Sequence, residues 1–103
     1  MSVPQYTTPT FTLTFTEESL DLTLANNVYV TFRSGDNIIT KTGSDLTVAQ
    51  KSIGVYLSQE ETAEFQVGDV EIQANWTTAE GGRFASEKAY YDITDQLLKK
   101  VVE

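Results

Sequence analysis

The sequence predicts a single all-β domain, an antiparallel β-sandwich of about seven short strands. Runs in which apolar and polar residues alternate recur at intervals of about ten residues, the spacing of sandwich and barrel strands. Clusters of Gly, Asp, Asn and Ser separate these runs and supply turns. The chain has 103 residues, which suffices to bury one core without disulfide bonds, and it contains no cysteine.

The predicted sandwich occupies residues 10–93. Its first strand, TFTLTFT, places Phe11, Leu13 and Phe15 on one face. NVYVTFR and NIITKT form a hairpin, because the turn between them contains Gly35, which tolerates a positive φ. LTVA, IGVYL and DVEIQANWT are the strands that follow.

Three further segments have less regular patterns. Before the second strand, three leucines are expected to pack one edge of their segment beneath the core: Leu20, Leu22 and Leu24. The last strand is expected over Phe84–Ile93, but two alternations compete there: one puts Phe84 and Tyr90 inward, and the other Ala85, Ala89, Tyr91 and Ile93. Residues 1–9 are predicted as an extended N-terminal arm, and residues 94–103 as a short amphipathic helix or arm.

A short helical turn is predicted over Gln59–Phe65. Ser58 and Glu61 match the capping box, in which the serine hydroxyl accepts from the main chain three residues on and the glutamate accepts from the serine N–H. We therefore assign Ser58 and Glu61 structural roles. Glu60, Glu61 and Glu64 form an acidic cluster, but carboxylates are favoured near a helix N-terminus, so they predict no active site.

Composition excludes several kinds of chemistry. Histidine and cysteine are both absent, which removes the usual general base, thiol catalysis and the commonest metal ligands. Seven basic and fifteen acidic side chains give a net charge of −8, which disfavours nucleic-acid binding. The sequence also lacks an apolar stretch of the roughly 20 residues that a membrane span needs.

No catalytic, cofactor or metal site is predicted. Asp36, Asn37, Asp45 and Asp69 carry oxygen ligands, but their spacing matches no metal loop and turns favour the same residue types. Ser58 has no histidine to activate it. We expect no cofactor and no enzymatic activity.

Three aromatic residues are singled out. Trp76 shares the alternation of Val70 and Ile72, so it is predicted to pack between the sheets as a structural core residue. Tyr29 and Tyr56 fall out of phase with the apolar faces of their strands, which places them on outer sheet surfaces. They are candidate interface residues, with ordinary cross-strand packing as the alternative.

The order of these segments resembles the immunoglobulin-like domain at the N-terminus of phage baseplate upper proteins and related small proteins of phages and prophages. The likeness spans residues 10–93 and depends on two sequence segments, DLTLANNVYVTF and IGVYLSQEETAEFQVGDVEIQANW. It implies an immunoglobulin-like sandwich and a virion structural protein of the tail or baseplate, made in the bacterial cytoplasm. Its partners would be other phage structural proteins or further copies of itself.

The short segment after the predicted sandwich favours an accessory or connector role over direct receptor binding. A second hypothesis is a carbohydrate-binding or adhesin module. It would stack sugar rings on exposed aromatics such as Tyr29, Tyr56, Tyr90 or Trp76.

Overall fold

The computed structural model describes residues 2–16, 20–86 and 88–94 and shows two packed β-sheets. These described residues form nine strands, where the sequence predicts about seven for the chain. The strands are β1 (Ser2–Pro4), β2 (Thr10–Thr14), β3 (Asn27–Ser34), β4 (Asn37–Thr42), β5 (Leu46–Val48), β6 (Ser52–Tyr56), β7 (Gly68–Thr77), β8 (Arg83–Ala85) and β9 (Ala89–Thr94). One α-helix, α1 (Gln59–Ala63), and two 3₁₀ turns, Leu22–Leu24 and Gly43–Asp45, complete the described elements.

The strand order is that of an immunoglobulin-like sandwich. The larger sheet has the order β1-β9-β7-β3-β4, with β8 also paired to β7, and the smaller sheet has the order β2-β6-β5. In immunoglobulin nomenclature, β9, β7, β3 and β4 take the places of G, F, C and C′, while β2, β6 and β5 take those of B, E and D. The fold class expected from the sequence is therefore present.

Aromatic side chains join the two sheets. Phe11 of the smaller sheet contacts Phe32 and Tyr91 of the larger one, with ring centroids 5.4 and 4.6 Å apart. Phe32 in turn packs against Phe65, which follows α1. These residues lie in a core built from alternate positions of the strands, which explains why the alternating pattern predicted the fold.

The predicted hairpin is formed by β3 and β4. Ser34 pairs with Asn37 across a two-residue turn, and Gly35 has a φ of +59°. A Cβ atom at Gly35 would lie 2.7 Å from the end of the flexible Gln66 side chain, which can move aside, so the positive φ is what favours glycine.

The last predicted strand, Phe84–Ile93, is divided into β8 and β9. Both pair with the same edge of β7, because β3 occupies the other edge. Between them, Ser86 accepts a hydrogen bond from the Ala74 N–H through its side chain (3.0 Å), which interrupts the ladder. Phe84 shares the face of Trp76, whereas Tyr91 and Ile93 face the core. The alternation that puts Phe84 inward is therefore correct for β8, and the alternation that puts Tyr91 and Ile93 inward is correct for β9.

The predicted N-terminal arm forms part of the larger sheet. Ser2–Pro4 is strand β1 and runs parallel to β9, with Val3 paired to Ile93. Residues 5–9 then cross to the smaller sheet. Tyr6, near the start of this segment, has a φ of +60°. Of the predicted C-terminal helix or arm, Thr94 belongs to β9 and residues 95–103 lie outside the described residues.

Helix α1 begins with the predicted capping box and ends at Ala63 instead of Phe65. Ser58 Oγ accepts from the Glu61 N–H (3.2 Å), and Glu61 Oε1 accepts from the Ser58 N–H (2.9 Å). Thr62, which the sequence did not mark as a core residue, is fully buried and donates to the Thr7 carbonyl (2.8 Å). Neither this helix nor either 3₁₀ turn in the described ranges is long and apolar enough to cross a membrane.

Glu61 also forms a salt bridge that joins the helix to β4. Lys41 Nζ lies 2.6 Å from Glu61 Oε2, and both side chains are largely buried. Burial favours a raised pKa for Glu61, but the hydrogen bonds from Lys41 and Ser58 outweigh it and lower the pKa below its ordinary value of 4.5.

We predict that Glu61→Gln destabilises the protein by about 1 kcal/mol at neutral pH. Because the folded pKa is lowered, the ionised group contributes stability above the unfolded value near 4.5 and loses it as the pH falls through the folded value. The difference between wild type and variant should therefore shrink in acid. Urea unfolding from pH 7 to pH 3 measures it. Glu60→Gln is the control: it removes an exposed charge from the same helical turn but not the bonds to Lys41 and Ser58, so it should lower stability less.

Candidate interaction surfaces

Tyr29 lies on the outer face of the larger sheet. It is 36% exposed and is paired with Thr42 on one side and Asn75 on the other. With Thr40 and Arg83 it lines a shallow hollow of about 420 Å³. The sequence therefore placed this tyrosine on the correct side of its strand.

An ion network covers the neighbouring part of that face. Arg33 and Glu71 are direct cross-strand partners, and the Arg33 Nε donates to Glu71 Oε1 at 3.1 Å. Lys88 Nζ lies 3.3 Å from the other oxygen of Glu71. The hydrogen bond from Arg33 lowers the pKa of Glu71, against an opposing effect of burial. A carboxylate held ionised by two cations is suited to cross-strand pairing and poorly suited to accept a proton in catalysis.

Tyr56 lies on the opposite side of the molecule. It is 52% exposed on the outer face of the smaller sheet, where it is paired with Thr10. Tyr29 and Tyr56 therefore belong to separate surfaces, and the structure does not bring them together. Their roles in an interface stay predictions, each for its own face.

A more apolar surface lies at the end of the sandwich where β7 finishes. We call it the end cleft. It measures about 380 Å³ and has an apolar floor with three polar residues among its lining. Its lining residues are Leu20, Asp21, Leu24, Ala25, Trp76, Thr78, Ala79, Glu80 and Phe84.

Two side chains of the end cleft are unusually exposed for their type. Leu24 is 74% exposed and Phe84 is 50% exposed, whereas Trp76 beneath them is only 9% exposed. The rings of Phe84 and Trp76 are stacked, with centroids 6.2 Å apart and planes 21° apart. Phe15 contacts the indole edge-on at 5.6 Å. Trp76 therefore holds the core position predicted for it and also forms the base of the cleft.

Local hydrogen bonds hold the two loops that form the cleft. Asp21 caps the 3₁₀ turn Leu22–Leu24 by accepting from the Thr23 N–H at 3.1 Å. In the loop after β7, the Thr78 hydroxyl accepts from the Gly82 N–H at 3.1 Å.

Leu24 is a correction to the sequence analysis, which grouped it with Leu20 and Leu22 as a core residue. Leu22 is buried and its N–H donates to the Gln50 carbonyl, but the 3₁₀ turn directs Leu24 outward. The apolar spacing alone could not separate these leucines, because alternation holds only while the backbone stays extended. In the sequence, the Asp-x-Thr pattern that begins at Asp21 was the one available signal that the backbone does not stay extended there.

The described ranges contain no group of three or more acidic side chains that could hold a metal ion. Ser58 is engaged in the helix cap, with its hydroxyl accepting from the Glu61 N–H. Ser58 and Glu61 together form the helix cap that their sequence pattern indicates.

Comparisons with known proteins establish the fold alone. No protein-family model matches the sequence, and no curated protein matches it. Among solved structures, the chain is similar to one from Bacteroides vulgatus ATCC 8482 described as a "putative glycoside hydrolase", with a TM-score of 0.52 and 9% identity. The similarity covers 92% of this chain but only 16% of that one. Murine CRIg is also similar in structure, with a TM-score of 0.45, 9% identity and coverage of 93% and 91%.

We predict that Phe84→Ala shifts the fluorescence emission of Trp76, the single tryptophan, to longer wavelength. Removing the stacked ring opens the indole to water, while the half-exposed position of Phe84 limits the loss of stability to roughly 1 kcal/mol. Emission spectra and thermal unfolding measure both effects. Tyr90→Ala, on the outer face of the larger sheet, is the control, and an equal shift there would contradict the stacking seen in the structure.

Proposed function

We propose that the protein is a non-enzymatic structural component of a phage or prophage, part of the tail or baseplate, and that it works through protein–protein contacts. Support comes from the resemblance of its sequence to the immunoglobulin-like domain of baseplate upper proteins and from the immunoglobulin-like strand order. It would be made in the bacterial cytoplasm and incorporated into the virion.

The observation that carries the proposal is the end cleft. Leu24 and Phe84 expose apolar surface beside one another, above an indole that is itself buried. Interfaces concentrate their binding free energy in aromatic and aliphatic anchors at the centre of a patch, surrounded by polar residues. Asp21, Thr78 and Glu80 provide such polar surroundings here. The cleft therefore has the composition of an interface, with a partner expected among the other structural proteins of the particle.

The charge of the chain agrees with a protein partner. A net charge of −8 repels phosphate backbones and the anionic surface of membranes, so neither is proposed as a partner.

We predict that Leu24→Ser and Phe84→Ser each weaken binding to the partner protein about tenfold or more, because each removes an exposed apolar anchor. The proteins encoded by the neighbouring genes are the first to be tested, by co-purification and by calorimetry. Val67→Ser is the matched control, since Val67 is an exposed apolar residue at the opposite end of β7. Absence of the protein from purified particles, together with no binding to any virion protein, would overturn the proposal.

Carbohydrate binding is the second candidate function, favoured by the half-exposed ring of Phe84 beside acidic Asp21 and Glu80. Stacked aromatic rings and carboxylate acceptors are suited to the faces and hydroxyls of a sugar. A glycan array combined with Trp76 fluorescence tests it. Binding of a glycan that Phe84→Ser abolishes would support this function, and a blank array with unchanged emission would exclude it.

A further inference from the structure

Strand β2 is an edge strand with one open side. It pairs with β6 in antiparallel register, Phe11 opposite Val55 and Leu13 opposite Ile53. Among the residues that the structure describes, no strand pairs with its other side. In an immunoglobulin sandwich the first strand commonly covers this edge, but here β1 pairs with β9 of the larger sheet.

The hydrogen bonds at the two ends of β2 show which main-chain groups face the open side. The Leu57 N–H donates to the Pro9 carbonyl, and the Phe15 N–H donates to the Lys51 carbonyl. Hydrogen-bonded pairs alternate along an antiparallel ladder. The main-chain N–H and C=O groups of Phe11 and Leu13 therefore also form hydrogen bonds with β6. The N–H and C=O groups of Thr10, Thr12 and Thr14 therefore point away from β6, toward the open edge.

The other sheet edges are protected in ways that β2 is not. Lys41 points from edge strand β4 toward the interior, where it meets Glu61, and an inward charge on an edge strand opposes further pairing. Strand β1 ends in Pro4, and β5 has only three residues. Strand β2 is five residues long, with the sequence TFTLT, and contains neither a charge nor a proline.

We propose that β2 pairs with β2 of a second copy of this chain, antiparallel and centred on Thr12. In this register Thr12 faces Thr12 of the second copy and Thr10 faces its Thr14, so all three outward-pointing residues form hydrogen-bonded pairs. The two smaller sheets then become one continuous sheet across a two-fold axis. The inference identifies a partner within the proposed assembly role and rests on that role.

The side chains of β2 suit this pairing on both faces. On the outer face threonine meets threonine, a favourable cross-strand pair that stays hydrated. On the inner face Phe11 lies opposite Leu13 of the second copy, which covers a leucine that is only partly buried in the single chain. The strand carries no charge in a chain of net charge −8, so the copies repel through the remainder of their surfaces. Added salt should therefore strengthen the association.

Cysteine cross-linking tests the register directly, because the natural chain has no thiol. Hydrogen-bonded antiparallel partners have Cα atoms about 5.5 Å apart, within the span of a disulfide. Mild oxidation of Thr12→Cys should give a covalent dimer rapidly at protein concentrations where Thr40→Cys, at the protected β4 edge, stays monomeric. Equal rates for the two variants, or faster cross-linking of Thr40→Cys, would overturn the proposal.

Two separate proline variants test the main-chain hydrogen bonds between the two copies. Thr12→Pro removes a donor that faces the open edge and leaves the bonds to β6 in place, so self-association measured by sedimentation should weaken about tenfold or more. Thr40→Pro removes the equivalent outward donor from β4 and should leave self-association unchanged. A wild-type chain that is monomeric at all concentrations and salt levels would contradict the proposal.

Charge pairs separate a failure to fold from a failure to associate. In the proposed register residue 10 faces residue 14, so Thr10→Lys with Thr14→Lys should block association, and Thr10→Lys with Thr14→Glu should restore it. Both variants carry two exposed charges, and circular dichroism should show both folded. Failure of restoration in folded variants would exclude this register.

The same samples distinguish this inference from the proposed function. Binding to other tail proteins through the end cleft does not require β2. A chain that stays monomeric but binds those proteins would refute the β2 pairing alone, and a chain that dimerises but binds none of them would refute only the proposed role in a particle.

Discussion

The packing of Phe11 against Phe32 and Tyr91 is the contact on which the rest of the structure depends. The smaller sheet has three strands in the described residues, and its apolar inner face must be buried against another element. The larger sheet covers its inner face, and Phe11 contacts aromatic rings on two strands of that sheet. Helix α1 and the Leu22–Leu24 turn lie in two of the segments that connect the smaller sheet to the larger one.

The larger sheet is organised around β7, which is paired along both edges. Strand β3 occupies one edge, so β8 and β9 share the other, end to end. Strand β1 then extends the sheet beyond β9. The consequence concerns the smaller sheet, where no strand of the described residues pairs with the outer edge of β2. Allocation of strands between the sheets thus leaves one side of the sandwich able to accept a further strand.

Whether an aromatic residue stabilises the core or forms part of the surface depends on where the packed core ends. Trp76 lies at the limit of the packed interior, where its ring has an edge-to-face contact with Phe15 and stacks on the half-exposed Phe84. Tyr29 and Tyr56 stand on opposite outer faces, each among polar neighbours. The end cleft differs from both faces because apolar side chains from the segment before β3, from β7 and from β8 converge there. Such convergence is a property of chain topology, since Leu24 and Phe84 are distant in sequence.

The sequence by itself determined the sandwich, the β3–β4 hairpin, the Ser58–Glu61 cap and the inward position of Trp76. Each depends on neighbours within a few residues, through alternation, positive φ or local hydrogen bonding. Tertiary structure decided the rest: which sheet received the first strand, where the last strand broke at Ser86, and which leucine was left exposed. The first two outcomes depend on competition for β7 and on contacts between distant segments, which no local pattern of residues encodes. The exposure of Leu24 follows from a 3₁₀ turn, for which the cap at Asp21 is the one local signal.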